Sequence, residues 1–251
     1  LGQTPEGVSS VDLEAEAERM MFFLGDFFEW VETTPQLFDG IITDIPYRKS
    51  TATNCPVQGR LGGPQFSNDA FLHAAAQVTP KDAFLITFCN FLNAAELVNL
   101  ASWDSFPWKF VTYQIWDKRP TRTWIAWSRP LRHVEFILYF VRGKFRFDFR
   151  TGVTKPPVKR SSFGGKLKAS AKANSAKQSQ EMFEEIVTWR SPRQKVHPTQ
   201  KPVEASEMFA TIVGKDKLVL DPFCGSGALL SAFPNSMGID LKQWSADGNA
   251  D

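Results

Sequence analysis

"KLVLDPFCGSGALLSAFPNSMGID", Lys217–Asp240, decides the fold. "KLVLD" is a short apolar run that ends in a carboxylate, Asp221, and reads as a buried strand. Gly225 and Gly227 then permit a tight turn and the close approach of another group to the backbone. "GALLSAF" predicts the start of a helix, and "NSMGID" a second strand that ends in Asp240, nineteen positions after Asp221. Strand, glycine turn, helix and strand form a βαβ unit, whose two strands run parallel.

The alternation extends outward from that unit. "FDGIITD", Phe38–Asp44, is short, β-branched and stopped by Pro46, so it reads as a fully buried strand. "SNDAFLHAAAQV" predicts a helix capped by Ser67 or Asn68 and ended at Thr79-Pro80. "AFLITFC" reads as a strand, "NFLNAAELVNLA" as a helix capped by Asn90, and "VEASEMFATIV" as an amphipathic helix. "WKFVTYQIWDK" and "HVEFILYFVRGKFRFDF" are strand-rich, the second a strand running into a hairpin. The expectation is an α/β fold with a doubly wound, mostly parallel sheet covered by helices on both faces. Ligands of such sheets gather at the carboxyl ends of the strands, which groups the strand-ending Asp44, Asp221 and Asp240.

Bulk properties narrow the class. The 251 residues, 43% hydrophobic and 22% charged, hold ample material for a core. No apolar run approaches the roughly 20 residues that cross a bilayer, so no membrane association is expected. The acidic opening, residues 1–21, reads as a leader rather than a secretory signal, and its start at Leu1 suggests a trimmed chain. Cys55, Cys89 and Cys224, like His73, His133 and His197, are too scattered for a disulfide framework or a metal site. A cytoplasmic setting, or a nuclear one in a eukaryote, is the default. Net charge is +2, yet eight basic residues and no acidic one fall between Arg150 and Gln180. The rest of the chain therefore carries about −6.

The glycine turn constrains its ligand. No Lys-Ser/Thr pair follows the glycines, which excludes a Walker loop. Leu229 and Leu230 stand where a dinucleotide site would want a third glycine and an open helix start. Asp221 would repel a phosphate and suits an ammonium group. Asp240 can accept both hydroxyls of a ribose. A nucleoside that carries an amino acid satisfies both acids, and S-adenosylmethionine is such a molecule.

"DPFCGSG", preceded by "HPTQKP" and a helix, closely resembles the cofactor half of the DNA amino-methyltransferases in their β arrangement. The resemblance also takes in "LGDFFEWV", "FDGIITDIPY", "IWDK" and "RHVEFILYFVRGK", covering most of Leu24–Asp240 with the basic segment outside it. It implies a Rossmann-like methyltransferase fold and transfer of a methyl group from S-adenosylmethionine to the exocyclic amine of adenine or cytosine. It divides the chain into a leader (1–21), a catalytic half (22–149), a basic flexible insert for target recognition (150–180) and a cofactor half (181–251).

"DIPY" would be the catalytic tetrapeptide. An exocyclic amine is a poor nucleophile because its lone pair is delocalised into the ring, and an acceptor for each N–H helps the nitrogen pyramidalise. By the resemblance, those acceptors are the Asp44 side chain and the Ile45 carbonyl. Pro46 fixes the turn that aims this carbonyl, and Tyr47 stacks on the flipped base. Ile45 departs from the commonest pattern, which has Pro there, yet supplies the carbonyl required. For the cofactor, the resemblance implies Asp221 on the ammonium, Phe223 packed alongside, Gly225 and Gly227 in the turn and Asp240 on the ribose. Asp26 would face the adenine amine, and His197, Thr199, Gln200 and Lys201 would lie along the cofactor. Trp116, Lys118, His133 and Glu135 match family positions and read as residues that shape the sheet.

Lys155, Lys159, Arg160, Lys166 and Lys168 lie in the low-complexity basic segment, where loose cations neutralise phosphates without reading bases. Arg122 and Arg129, interleaved with Trp124 and Trp127, form a second surface suited to unpaired bases. Nucleic acid, DNA first, is the expected partner. A recognition region this thin leaves room for a homodimer or a second chain that supplies specificity. Two alternatives stay open: a non-catalytic nucleic-acid-binding subunit of a methyltransferase complex, and an RNA adenine-N6 methyltransferase.

Overall fold

The structure, a computed structural model, describes residues 20–34, 36–46, 66–118, 134–155, 179–190, 192 and 200–242. In chain order the elements are β1 (Met21–Leu24), α1 (Phe27–Thr33), β2 (Gly40–Asp44), α2 (Asn68–Gln77), β3 (Ala83–Cys89) and α3 (Phe91–Ala101). Next come β4 (Lys109–Asp117), β5 (Val134–Arg142), β6 (Arg150–Lys155), β7 (Ser179–Met182) and β8 (Ile186–Val187). The series closes with α4 (Val203–Val213), β9 (Val219–Asp221), a 3-10 turn (Ala228–Leu230) and β10 (Ser236–Asp240).

Eight strands form the main sheet in the order β1-β10-β9-β2-β3-β5-β4-β8. The first five are mutually parallel. β5 enters antiparallel between β3 and β4, so the sheet is mixed at that end. The alternation of side chains along each strand splits the apolar residues between two cores. Ile41, Leu85, Leu138 and Phe140 face α1, α2 and α3. Ile42, Phe84, Ile86, Ile137 and Tyr139 face α4 and the 3-10 turn. β3 is buried along its whole length, as expected of a central strand covered on both faces. Helix starts follow their caps: Ser67 Oγ accepts from Ala70 N at 3.0 Å, and Asn90 Oδ1 accepts from Asn93 N at 2.9 Å.

Three expectations are corrected. "GALLSAF" forms only a 3-10 turn, because the fourteen residues between Asp221 and Ser236 must also cross between parallel neighbours. "KFRFDF" does not return as a hairpin. After a turn at Gly143 (φ +56°), Phe145, Phe147 and Phe149 lie over the second face, with ring centroids 5.0 Å from Phe84 and 5.3 and 5.2 Å from Tyr139. The alternating rings mimic a half-buried strand because they cap a core. The basic insert is not loop throughout: its ends pair antiparallel as β6 and β7, while residues 156–178 lie outside the described residues. β1 opens at Met21, the last residue assigned to the leader, and residues 1–19 lie outside the described residues. Among the described residues no helix is long and apolar enough to cross a membrane.

Phe209 is fully buried on α4 and meets Phe88 and Tyr139 edge-on at 5.9 and 6.3 Å. Phe209→Ala is expected to lower unfolding stability by about 3–5 kcal/mol, measured by urea titration.

Candidate active site

Parallel strands that start on one side of a sheet end on the other, so β1, β10, β9, β2 and β3 deliver their last residues to a common edge. Asp44 ends β2, Asp221 ends β9 and Asp240 ends β10, and these three strands are consecutive neighbours. The antiparallel β5 brings its beginning to the same edge: Phe136 pairs with Cys89, the last residue of β3, and Glu135 precedes it. β4 finishes there too, with Asp117 opposite Val134 and Lys118 following. One edge thus collects five carboxylates: Asp44, Asp117, Glu135, Asp221 and Asp240.

Asp221 is the most deeply buried of them, 1% exposed. Its Oδ1 accepts from Thr43 Oγ1 at 2.6 Å and from Phe223 N at 3.1 Å. Burial pushes its pKa up to about 7; the Thr43 and Phe223 hydrogen bonds oppose this, while Asp44 and Asp240 add to it. Thr43 is a participant the sequence reading missed, although a hydroxyl inside an otherwise apolar strand is a signal of a buried polar partner.

Asp240 closes the glycine turn. Its Oδ2 accepts from Gly225 N at 2.8 Å and its Oδ1 from Lys242 N at 3.1 Å. Gly225 and Gly227 both take positive φ, +51° and +73°. A Cβ on Gly227 would stand 2.8 Å from Met20 Cε, so both conformation and space call for glycine. Beside this turn opens a cavity of about 370 Å³ lined by Gln200, Ser226, Gly227 and Phe233 among others. Asp26 follows β1 and caps α1, its Oδ1 accepting from Phe28 N at 2.8 Å and Glu29 N at 3.3 Å. Phe223 sits in an aromatic cluster, stacked on Phe66 at 5.0 Å and 6° and meeting Phe27 edge-on at 6.0 Å.

Asp44 stands between the acids and a buried cation. Lys201, 5% exposed, forms an ion pair with Asp44 Oδ2 and lies 3.4 Å from Glu135 Oε2. Its ammonium also rests over the Phe88 and Trp116 rings, 5.2 and 6.0 Å from their centroids. Burial alone would lower a lysine pKa, but Asp44 and Glu135 more than offset it and hold Lys201 above its ordinary range. Glu135 in turn accepts from Lys118 Nζ at 2.8 Å. Cys89 is buried beside this group; desolvation first, then Asp44 and Glu135, push its thiol far up, so it is no nucleophile.

Ile45 is buried and Pro46 exposed immediately after Asp44. Tyr47, His133, His197 and Thr199 lie outside the described residues, as do Arg122, Arg129, Lys159, Arg160, Lys166 and Lys168. Lys155 ends β6. The structure therefore brings together Asp44, Asp221, Asp240, Gly225 and Lys201, draws in Glu135 and Lys118, which were expected to shape the sheet, and adds Thr43.

This chain belongs to the DNA methylase family, N6_N4_Mtase, whose model matches residues 38–236. Among solved structures it is similar to M1.HpyAVI in its complex with SAM, at 20% identity and a TM-score of 0.61, over 90% of this chain and 95% of that one. It is also similar to the PvuII DNA methyltransferase, cytosine-N4-specific, at 15% identity and a TM-score of 0.58, over 88% of this chain and 81% of that one. No curated protein matches the sequence.

The raised pKa of Asp221 sets a pH test. A carboxyl whose folded pKa exceeds its unfolded value, near 4, keeps more protons when folded, so its contribution weakens as pH rises from about 4 to about 7. Asp221→Asn should remove that loss. Its stability relative to wild type, from urea unfolding, should climb by a few kcal/mol at most across this window, at about 1.4 kcal/mol per pKa unit, and level off above it.

Proposed function

We propose that this chain is an S-adenosylmethionine-dependent methyltransferase that acts on N6 of adenine in DNA. The observation that carries the reading is the adjacency of Asp44 to Asp221 and Asp240 on one sheet edge, which sets an amine-holding carboxylate beside an ammonium- and ribose-holding pair.

The residues present fit the cofactor. A desolvated carboxylate at Asp221 is stabilised by an incoming ammonium group, which removes the penalty that raises its pKa. Each Asp240 oxygen accepts one backbone N–H, and a carboxylate has about four lone-pair sites, so a diol can share them. The glycine turn keeps the backbone low beside the cavity at Gln200 and Ser226. Phe223, stacked on Phe66, stands at the head of that turn.

When bound, S-adenosylmethionine supplies a sulfonium methyl: the bond from carbon to sulfur breaks with its electron pair left on sulfur, the bond to nitrogen forms, and the amine sheds one proton. The chain's own residues prepare the amine. The Asp44 carboxylate accepts one N–H and takes the departing proton. The Ile45 carbonyl accepts the other N–H, which draws the lone pair out of conjugation. Tyr47 stacks on the base. Ile45 is buried, so packing holds the carbonyl in place where proline would have held it by its ring. An aspartate at the head of the tetrapeptide, rather than serine, favours adenine over cytosine.

Protein, labelled cofactor and DNA or RNA oligonucleotides are incubated together, then digested to nucleosides. Label is expected on adenine from DNA, and Asp44→Ala should lower turnover by about 10²–10³, the range seen when one preorganised polar contact to a reacting group is removed. Label on cytosine, or from RNA alone, would overturn the stated substrate.

Lys155, Lys159, Arg160, Lys166 and Lys168 are assigned to phosphate contacts. Replacing Lys166 and Lys168 with alanine should weaken binding of all DNA sequences alike. It should also reduce the slope of log affinity against log salt by about one per lost contact, measured by fluorescence anisotropy.

A further inference from the structure

Lys201 is the best-buried cation among the described residues, and its surroundings assign it a task other than lying along the cofactor. It reaches the tetrapeptide from 157 positions away in the chain, from the segment that enters α4. A buried ammonium is tolerated only with opposite charge and hydrogen bonds around it. Asp44 and Glu135 provide both, and the Phe88 and Trp116 rings complete the enclosure. Glu135 is held from its other side by Lys118 at 2.8 Å. The charges therefore alternate along a line: Lys118, Glu135, Lys201, Asp44.

Resting on the reading above, we propose that Lys201 is a positioning residue that holds the Asp44 carboxylate charged and correctly turned toward the base amine, with Glu135 and Lys118 as its brace. Contact with Oδ2 sets the plane of the Asp44 carboxylate and hence the direction of its other oxygen. The line also supplies positive charge where four acids crowd. Without it, Asp44 would ionise against Asp221 and Asp240 on neighbouring strands and Glu135 across β3, beside a neutral Cys89. An ammonium already seated between two carboxylates is poorly placed to serve the carboxylate of a cofactor.

The test separates the two roles. Full-length Lys201→Met should lose about 100-fold in kcat, while KM for DNA and the calorimetric Kd for S-adenosylmethionine stay within about threefold of wild type. The acid limb of its kcat profile should move up by about one pH unit or more, because a carboxylate deprived of its cation protonates more readily. Cofactor affinity that falls in step with kcat would return Lys201 to the cofactor and overturn the proposal, as would unchanged kcat in a folded variant. Should Lys201→Met fail to fold, the isosteric Glu135→Gln decides: a loss of about tenfold in kcat at unchanged cofactor Kd supports the brace, and unchanged kcat overturns it. Wild-type protein that transfers no methyl to DNA or RNA overturns both this proposal and the reading beneath it.

Discussion

Crowding of like charge at one sheet edge is the constraint around which this molecule is organised. Parallel pairing obliges neighbouring strands to finish together, and here they finish in Asp44, Asp221 and Asp240, with Glu135 close by. Four acids in a partly dry site repel one another unless something offsets them. The structure uses three devices. Asp221 has the Thr43 hydroxyl and a backbone N–H, Asp240 has two backbone N–H groups, and Asp44 and Glu135 share a lysine.

These devices differ in what they permit. Backbone donors cannot leave, so Asp240 is a rigid part of the glycine turn. Asp221 is only half compensated, which leaves it receptive to an outside cation. Asp44 is neutralised by a side chain from another part of the chain, which ties its orientation to the segment that enters α4. In the proposed reaction this division matches the tasks: a fixed clasp, an open charge and an adjustable acceptor.

Most of the scaffold was legible in the sequence because period and punctuation agreed. "AFLITFC" reads as a buried strand and forms β3, and "VEASEMFATIV" coincides with α4. The three strand-ending acids were visible for the same reason, since a carboxylate after an apolar run is conspicuous. What escaped was set by tertiary context. The 3-10 turn after Gly227 is decided by how little chain separates β9 from β10, not by the helix propensity of "ALLSAF". "KFRFDF" carries a strand's pattern yet spends it on capping a core. The partnership of Lys201 with Asp44 could not be read at all, because it joins segments that only the fold brings together.

Among the described residues β1 is an edge strand, hydrogen-bonded on one side to β10 and exposed along its length. Edges of this kind open at lower free energy than central strands. Gly25 donates to the Asp240 carbonyl at 2.9 Å, and Asp26 follows directly. Peeling of β1 would therefore slacken the rim beside Asp240 while β2 and β3, clasped in mid-sheet, stay put. The molecule is built with a pliant margin along β1 and a stiff anvil under Asp44.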